Sequence, residues 1–121
     1  MNVVYHAHYF VWFELGRTEL MRELGCGYAR LEDEEGIFFP VRQARARYRA
    51  SARYDQVLDV HTALTSVGAA SVCFDYRVCD QGDGRLLVTG FTEHAAVGGS
   101  GRPVRLPQEL RRRLLAGAPP T

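Results

Sequence analysis

The sequence predicts an α+β domain in which one long helix is followed by four antiparallel strands. Near the N-terminus, apolar residues recur every three or four positions, which is the period of a helix. From Ile37 onward they alternate with polar residues, as in strands that have one buried face. Glycine-bearing segments at 68–70 and 80–84 divide this alternating region as hairpin turns would. With 121 residues, we expect one domain spanning 1–121.

The helix is predicted over residues 3–24 and is entered through a turn that carries His6. Its apolar side consists of Tyr9, Phe10, Trp12, Phe13, Leu15, Leu20, Met21 and Leu24. Glu19 and Arg22 are three residues apart, a spacing that favours an ion pair on the helix surface. Gly25 follows as a left-handed terminator. Because so broad an apolar side has to be buried, we expect the sheet to wrap around this helix.

A charged connector at residues 28–36 leads to the first strand, and we interpret it as a solvated loop rather than a metal site. In that strand Ala44, Ala46, Tyr48 and Ala50 alternate with arginines, which predicts one buried face and one wet face. Pro40 near the start of the strand indicates an edge or a bend.

The remaining strands are predicted at about 58–65, 71–79 and 85–97. Gly90 in the last of them is interpreted as a bulge or kink. His61 and His94 lie in these strands without visible partners, so we interpret both as structural. A short helix is predicted from Gln108 to about Ala116, and residues 117–121 are expected to fray.

Composition argues against several classes of protein. A formal net charge of +1 is too small for a dedicated nucleic-acid binder. The three cysteines are odd in number and lack metal-ligand spacing, so we expect a reduced, cytoplasmic protein. We find neither a secretion signal nor an apolar run of about 18 residues, so we expect a soluble protein without membrane insertion.

Several blocks of the sequence resemble a known family. Residues 3–19 read Val-Val-Tyr-His-x-x-Tyr and then Trp-Phe-Glu-x-x-Arg-Thr-Glu, and the likeness continues at 36–41, 48–55 and 101–107. These blocks resemble hotdog-fold acyl-CoA thioesterases of the 4-hydroxybenzoyl-CoA thioesterase-like group, which includes the thioesterase that accompanies the Tol–Pal system. The resemblance implies a hotdog fold, in which an antiparallel sheet curls around one long central helix.

The resemblance also implies an activity, the hydrolysis of small aromatic or short-chain acyl-CoA thioesters. It implies a homodimer or homotetramer and no metal or redox cofactor. The thioester carbonyl would be polarised by the backbone amides of His6 to Tyr9 at the helix N-terminus. The family aspartate, in the pattern Asp-x-x-Gly-Val-Val-Tyr-His, would fall just upstream of Met1, with Asn2 at the position that is commonly glycine. We therefore expect the first strand of the fold and this aspartate to lie upstream of Met1.

Among the residues present, the resemblance points to His6 and Glu14 as catalytic. His6 matches the family histidine beside the thioester, whereas Glu14 is either a catalytic base, an ion-pair partner of Arg17 or a group hydrogen-bonded across a dimer. The substrate-binding residues it implies are Tyr5, Ala7, His8 and Tyr9. Tyr5 lines the acyl pocket or belongs to the core. His8 departs from the small or amide residue of the family and is expected to face solvent, and without a third ligand the two histidines do not predict a metal site.

Other interpretations stay open at this point. The missing aspartate favours a non-catalytic hotdog protein that binds acyl-CoA or a protein partner. A dehydratase on the same fold is disfavoured by the Val-Tyr-His helix entry. Contacts with CoA phosphates are equally compatible with the arginines of the first strand, which are Arg45, Arg47 and Arg49, and with those near turns, which are Arg53, Arg85, Arg102 and Arg105.

Overall fold

The computed structural model describes residues 7–50 and 57–117 of the chain. In order, the elements are α1 (Ala7–Glu23), α2 (Tyr28–Arg30), a π-helical turn (Leu31–Glu35), β1 (Val41–Tyr48), β2 (Leu58–Val67), β3 (Ser71–Asp80), β4 (Leu86–Ala95) and α3 (Gln108–Gly117). The predicted order of one long helix, four strands and a short helix is confirmed. The expected helix entry at His6 and the end of the tail, 118–121, lie outside the described residues.

The four strands form one antiparallel sheet in the order β1-β4-β3-β2. Both predicted hairpin turns are confirmed, and in the second the Asp80 carboxylate accepts hydrogen bonds from the amides of Gly82 and Asp83 (2.7 and 3.2 Å). Strand β1 pairs with β4 rather than with β2, its neighbour in sequence, so β1 and β2 are the edges of the described sheet. The edge position indicated by Pro40 is therefore confirmed.

Helix α1 packs its buried face, with Tyr9, Phe13 and Met21, against one side of the sheet. The Phe13 ring stacks on Tyr76 of β3 with centroids 4.4 Å apart. Gly90 permits this approach, because a Cβ at that position would collide with the Phe13 ring. The predicted bulge or kink at Gly90 is wrong, since its pairing with both neighbouring strands is unbroken. Contact with the helix, and not a break in the strand, explains the glycine.

The apolar side predicted for α1 is only partly buried. Leu20 and Leu24 are half-buried against the core, but Phe10 and Leu15 are 41% and 60% exposed. A helix that lies on one face of a sheet covers only one side of itself, so the residues on its far side face solvent in a single chain. The Glu19–Arg22 ion pair is confirmed on this outer side, at 2.8 Å.

The connector after α1 is helical, so the prediction of a loop is wrong. Gly25 ends the long helix with a φ of +74°, as predicted. The following turns are held by the buried side chain of Leu31 and by an ion pair between Arg30 and Glu34 (2.8 Å), one helical turn apart. The acidic side chains of the connector are exposed, which agrees with the solvated surface that was expected.

Strand β1 departs from the predicted pattern of one buried and one wet face. Ala44 and Tyr48 are exposed, and only Ala46 and Ala50 of the four predicted inward residues are half-buried. Helix α1 packs chiefly on β2 and β3, so it leaves the inner face of this edge strand largely uncovered.

Helix α3 closes the fold beside β2. Its buried residues are Leu110 and Leu114. The Arg113 guanidinium donates a hydrogen bond to the carbonyl oxygen of Gly25 (3.4 Å), which joins this helix to the end of α1.

Candidate active site

The N-terminus of α1 is the first part of the candidate site. The structure describes α1 from Ala7 onward. The N-terminal end of a helix carries the positive end of the helix dipole, and first-turn amides have no partners within their own helix. No acidic residue lies in this first turn to neutralise that dipole. The Tyr9 ring lies 5.1 Å from that of Tyr48 and 4.8 Å from that of Trp12, which places the helix N-terminus beside the end of β1.

The structure locates some of the residues predicted for the site and leaves others undescribed. Tyr5 and His6 lie outside the described residues. The backbone of Ala7 and His8 lies in the first described turn of α1, whereas their side chains lie outside what the structure describes. The Tyr9 side chain is only 1% exposed, so it packs in the core below the helix N-terminus.

Glu14 is exposed and lies seven residues after Ala7, which is about 10 Å along the helix axis. Among the described residues it makes no ion pair with Arg17, so that alternative is not realised. Its charge acts on the nearby hydroxyl of Tyr28. A carboxylate at this distance cannot reach a carbonyl bound at the N-terminus of its own helix.

A buried chain of hydrogen bonds lies between α1 and the sheet. Nδ1 of His94 contacts the carbonyl oxygen of Phe39 at 3.0 Å, and because a carbonyl only accepts, this nitrogen carries the proton. Burial lowers the pKa of His94, so the ring is neutral and its Nε2 accepts from the Thr92 hydroxyl (2.9 Å). Thr92 in turn accepts from the Tyr76 hydroxyl (2.6 Å), so the direction of the whole chain follows.

The sequence interpretation missed Thr92 and Tyr76 and described His94 only as structural. Thr92 and His94 are two residues apart on β4 and therefore point to the same face, which is a signal that the sequence contains. The pairing of Thr92 with the strand that carries Tyr76 could not be read from spacing. His61, by contrast, is exposed.

Arg17 and Tyr28 extend this polar region toward the surface. Burial raises the pKa of Tyr28 strongly, and the Arg17 guanidinium opposes that rise. The same positive charge helps to lower the pKa of His94. The Tyr28 hydroxyl is buried without a hydrogen-bond partner of good geometry among residues 7–50 and 57–117.

Known metal-site patterns do not appear in the part of the chain that the structure describes, where no three histidine, cysteine or carboxylate side chains converge. Its helices are too short or too polar to cross a membrane.

One long helix packed against an antiparallel sheet is the architecture of the hotdog class of α+β domains. A model of the Thioesterase-like superfamily matches residues 1–114, and the chain belongs to this family. The acyl-CoA thioesterase YbgC of Haemophilus influenzae is 32% identical over 112 residues, which cover 91% of this chain and 80% of that protein.

Two solved structures are also similar. The hypothetical protein TT1821 from Thermus thermophilus shares 36% identity with a TM-score of 0.89, over 97% of this chain and 88% of that one. The DHNA-CoA thioesterase from Staphylococcus aureus shares 28% identity with a TM-score of 0.85, over 96% of this chain and 81% of that one. The predicted hotdog fold and the predicted family, which is a family of thioester hydrolases, are confirmed.

Proposed function

We propose that this protein is an acyl-CoA thioester hydrolase that acts on small aromatic or short-chain acyl groups. The observation that carries the proposal is the position of the N-terminal end of α1, which lies beside the end of β1 and has no acidic residue in its first turn. Such a helix terminus suits a carbonyl oxygen that becomes negative during reaction. Membership of the thioesterase family supplies the class of reaction.

In the proposed reaction, the thioester carbonyl oxygen accepts hydrogen bonds from the first-turn amides of α1. A carboxylate activates a water molecule, whose oxygen attacks the carbonyl carbon while the carboxylate takes its proton. The negative charge that develops on the carbonyl oxygen is stabilised by the helix dipole. When the carbon–sulfur bond breaks, the carboxyl group returns its proton to the departing thiolate, and the products are the carboxylic acid and the CoA thiol. His6 precedes the helix in sequence and is proposed to hydrogen-bond the substrate or the carboxylate.

Glu14 is the carboxylate of this chain that we propose for this role, and it would have to act on a second copy. Its distance of about 10 Å along the helix excludes the thioester bound by its own protomer. Its exposure leaves it available to a partner. Phe10, Val11 and Leu15 are exposed on the same helix and are proposed to lie in the interface of a homodimer, or of a dimer of dimers.

Hydrolysis of a panel of acyl-CoA thioesters, followed by release of free thiol, tests this proposal. Glu14→Gln and His6→Ala are each expected to lower kcat by about 10²-fold or more. Glu23→Gln, an exposed glutamate further along the same helix, is the matched control and should keep wild-type activity. If Glu14→Gln behaves like the control, Glu14 is not the base.

Mixing the two inactive variants tests the role of the second copy. A mixed dimer has one site with both His6 and Glu14 intact, so random pairing should restore about a quarter of wild-type activity. Absence of any restoration, with mixed dimers demonstrated, would contradict action across the interface.

A non-catalytic protein that binds acyl-CoA or a protein partner is the second candidate function. It is favoured by the position of Glu14, which lies too far along α1 to reach a carbonyl bound at the N-terminus of its own helix. Binding of acyl-CoA without thiol release across the whole panel would support it.

The three cysteines, Cys26, Cys73 and Cys79, are free, which supports our proposal of a reducing, cytoplasmic location. Fractionation of the cells that produce the protein would test it.

A further inference from the structure

A groove of about 730 Å³ crosses the sheet on the face opposite α1. Gly90 faces the helix, so Thr89 and Phe91 on either side of it point to the other face. The groove is lined by side chains from three neighbouring strands, which are Arg45, Arg47, Asp75, Arg77, Thr89 and Phe91. None of these side chains belongs to the catalytic site proposed above.

Two arginines and a threonine form one row across the groove. Thr89 of β4 is paired with Arg47 of β1 on one side and with Arg77 of β3 on the other. Neighbouring strands are about 4.8 Å apart, so both long side chains can close over the threonine hydroxyl from opposite sides. Guanidinium groups bind phosphate through two parallel hydrogen bonds, and the hydroxyl adds a third donor. The row therefore fits a phosphate group.

The groove carries a net positive charge, because its lining holds three arginines and a single carboxylate, Asp75. Elsewhere among the described residues, five arginines have a carboxylate oxygen within 3.4 Å: Arg22, Arg30, Arg42, Arg112 and Arg113. Arg45, Arg47 and Arg77 make no such ion pair in the described ranges. Three guanidinium groups on one small surface repel one another, and a bound anion of high charge would relieve that repulsion.

The second row of the groove fits an aromatic base. Phe91 is paired with Arg45 on one side and Asp75 on the other. The Arg45 guanidinium lies 4.6 Å from the centroid of the Phe91 ring and forms a flat platform on which a base can stack. The Asp75 carboxylate can accept a hydrogen bond from an exocyclic amine and repels phosphate. Because the two rows are about 7 Å apart along the strands, a base and its phosphates can occupy them together.

We propose that this groove binds the nucleotide half of the acyl-CoA substrate. Its phosphates lie between Arg47 and Arg77, and its adenine ring lies on the platform of Arg45 and Phe91. This inference rests on the proposed function, because it assigns the second part of the same substrate. Tyr48, which meets the first turn of α1, is the next residue after Arg47. The pantetheine arm would therefore pass around this end of β1 to reach the helix N-terminus.

Calorimetric titration with adenosine 3′,5′-bisphosphate tests the groove without any catalysis. Two charge-assisted contacts are lost in the double variant Arg47→Gln/Arg77→Gln, so binding should weaken by about 100-fold. The double variant Arg22→Gln/Arg112→Gln removes the same charge from exposed positions outside the groove and should bind nearly as the wild type does. Equal weakening in both, or no binding by the wild type, would overturn the proposal. If the double variant Arg47→Gln/Arg77→Gln changed the molar mass in light scattering but not the affinity for the nucleotide, the groove would instead be an interface between copies of the chain.

The role of Asp75 gives a second readout. Inosine 3′,5′-bisphosphate replaces the exocyclic amine of adenine with a carbonyl, so the wild type should bind it about tenfold more weakly. Asp75→Asn should reduce this preference, because an amide can donate to the carbonyl. A wild type that does not distinguish the two bases would remove Asp75 and the base-binding row from the proposal.

Kinetics with a truncated substrate separate this inference from the proposed function. Acyl-pantetheine lacks the nucleotide, so the groove double variant should raise KM for acyl-CoA and leave both constants for acyl-pantetheine unchanged. Equal effects on the two substrates would overturn the assignment of the groove. If neither substrate is hydrolysed by the wild type, the proposed function fails, while the titrations above still decide whether the groove binds a nucleotide.

Discussion

Thr92→Val is the most direct test of the buried hydrogen-bond chain between α1 and the sheet. Valine has nearly the shape of threonine and suits a strand, so the change removes one hydroxyl and leaves the packing intact. That hydroxyl accepts from Tyr76 and donates to His94. Both partners are 1% exposed, so neither can turn to solvent for a replacement.

The expected loss follows from the two groups left without partners. A buried polar group that loses its hydrogen bond costs about 1–3 kcal/mol, so the variant should lose about 2–6 kcal/mol of unfolding free energy. The total stability of a domain is about 5–15 kcal/mol, so the loss would be visible in any denaturation experiment.

Urea denaturation at fixed protein concentration measures this loss, since the concentration of an oligomer affects its apparent stability. Thr89→Val is the matched control, because it makes the same chemical change on the same strand but on the opposite, partly exposed face. The control should change the unfolding free energy by less than about 0.5 kcal/mol. A Thr92→Val variant as stable as this control would refute the directed chain from Tyr76 through Thr92 to His94.

Two further predictions concern the same region. Burial lowers the pKa of His94 from 6.5, so below that pH the unfolded chain binds a proton more readily than the folded chain does. The unfolding free energy should therefore fall as the pH drops from 6.5 toward the pKa of the folded state. The slope should be at most about 1.4 kcal/mol per pH unit. His94→Gln should remove that pH dependence and exposed His61→Gln should keep it, whereas loss of the slope in the His61 variant would contradict the assignment. Gly90→Ala should lower the unfolding free energy by about 1–3 kcal/mol in thermal unfolding, because the added Cβ would collide with Phe13. Gly99→Ala is the control, since the space around Gly99 is open. Equal stability of the two variants would argue against the contact between Gly90 and Phe13.

Local signals in the sequence were sufficient for the elements of this fold. The change of period at Ile37 predicts where helix gives way to strands, and the Asp-Gly turn at 80–84 predicts a hairpin whose hydrogen bonds the structure shows. These features depend on residues close together in sequence, so spacing alone reveals them.

Features that depend on long-range packing were not predictable in this way. The reason for Gly90 became visible only when Phe13, far away in sequence, was located above it. Likewise, Ala44 and Tyr48 alternate as a buried face would, but α1 lies over other strands and leaves them exposed. Alternation states which residues share a face and not what covers that face.

The candidate site shows the same division between local and long-range information. Resemblance identified the helix N-terminus, because that feature is contained in one segment of sequence. It also pointed to Glu14 on the same helix, and the closeness of the two features in sequence suggested a single site. In the structure, however, Glu14 lies about 10 Å along the helix from the first-turn amides. If both take part in one reaction, the carboxylate and the amides must come from different copies of the chain. An assembly is then required for catalysis itself, in addition to any stability that it contributes.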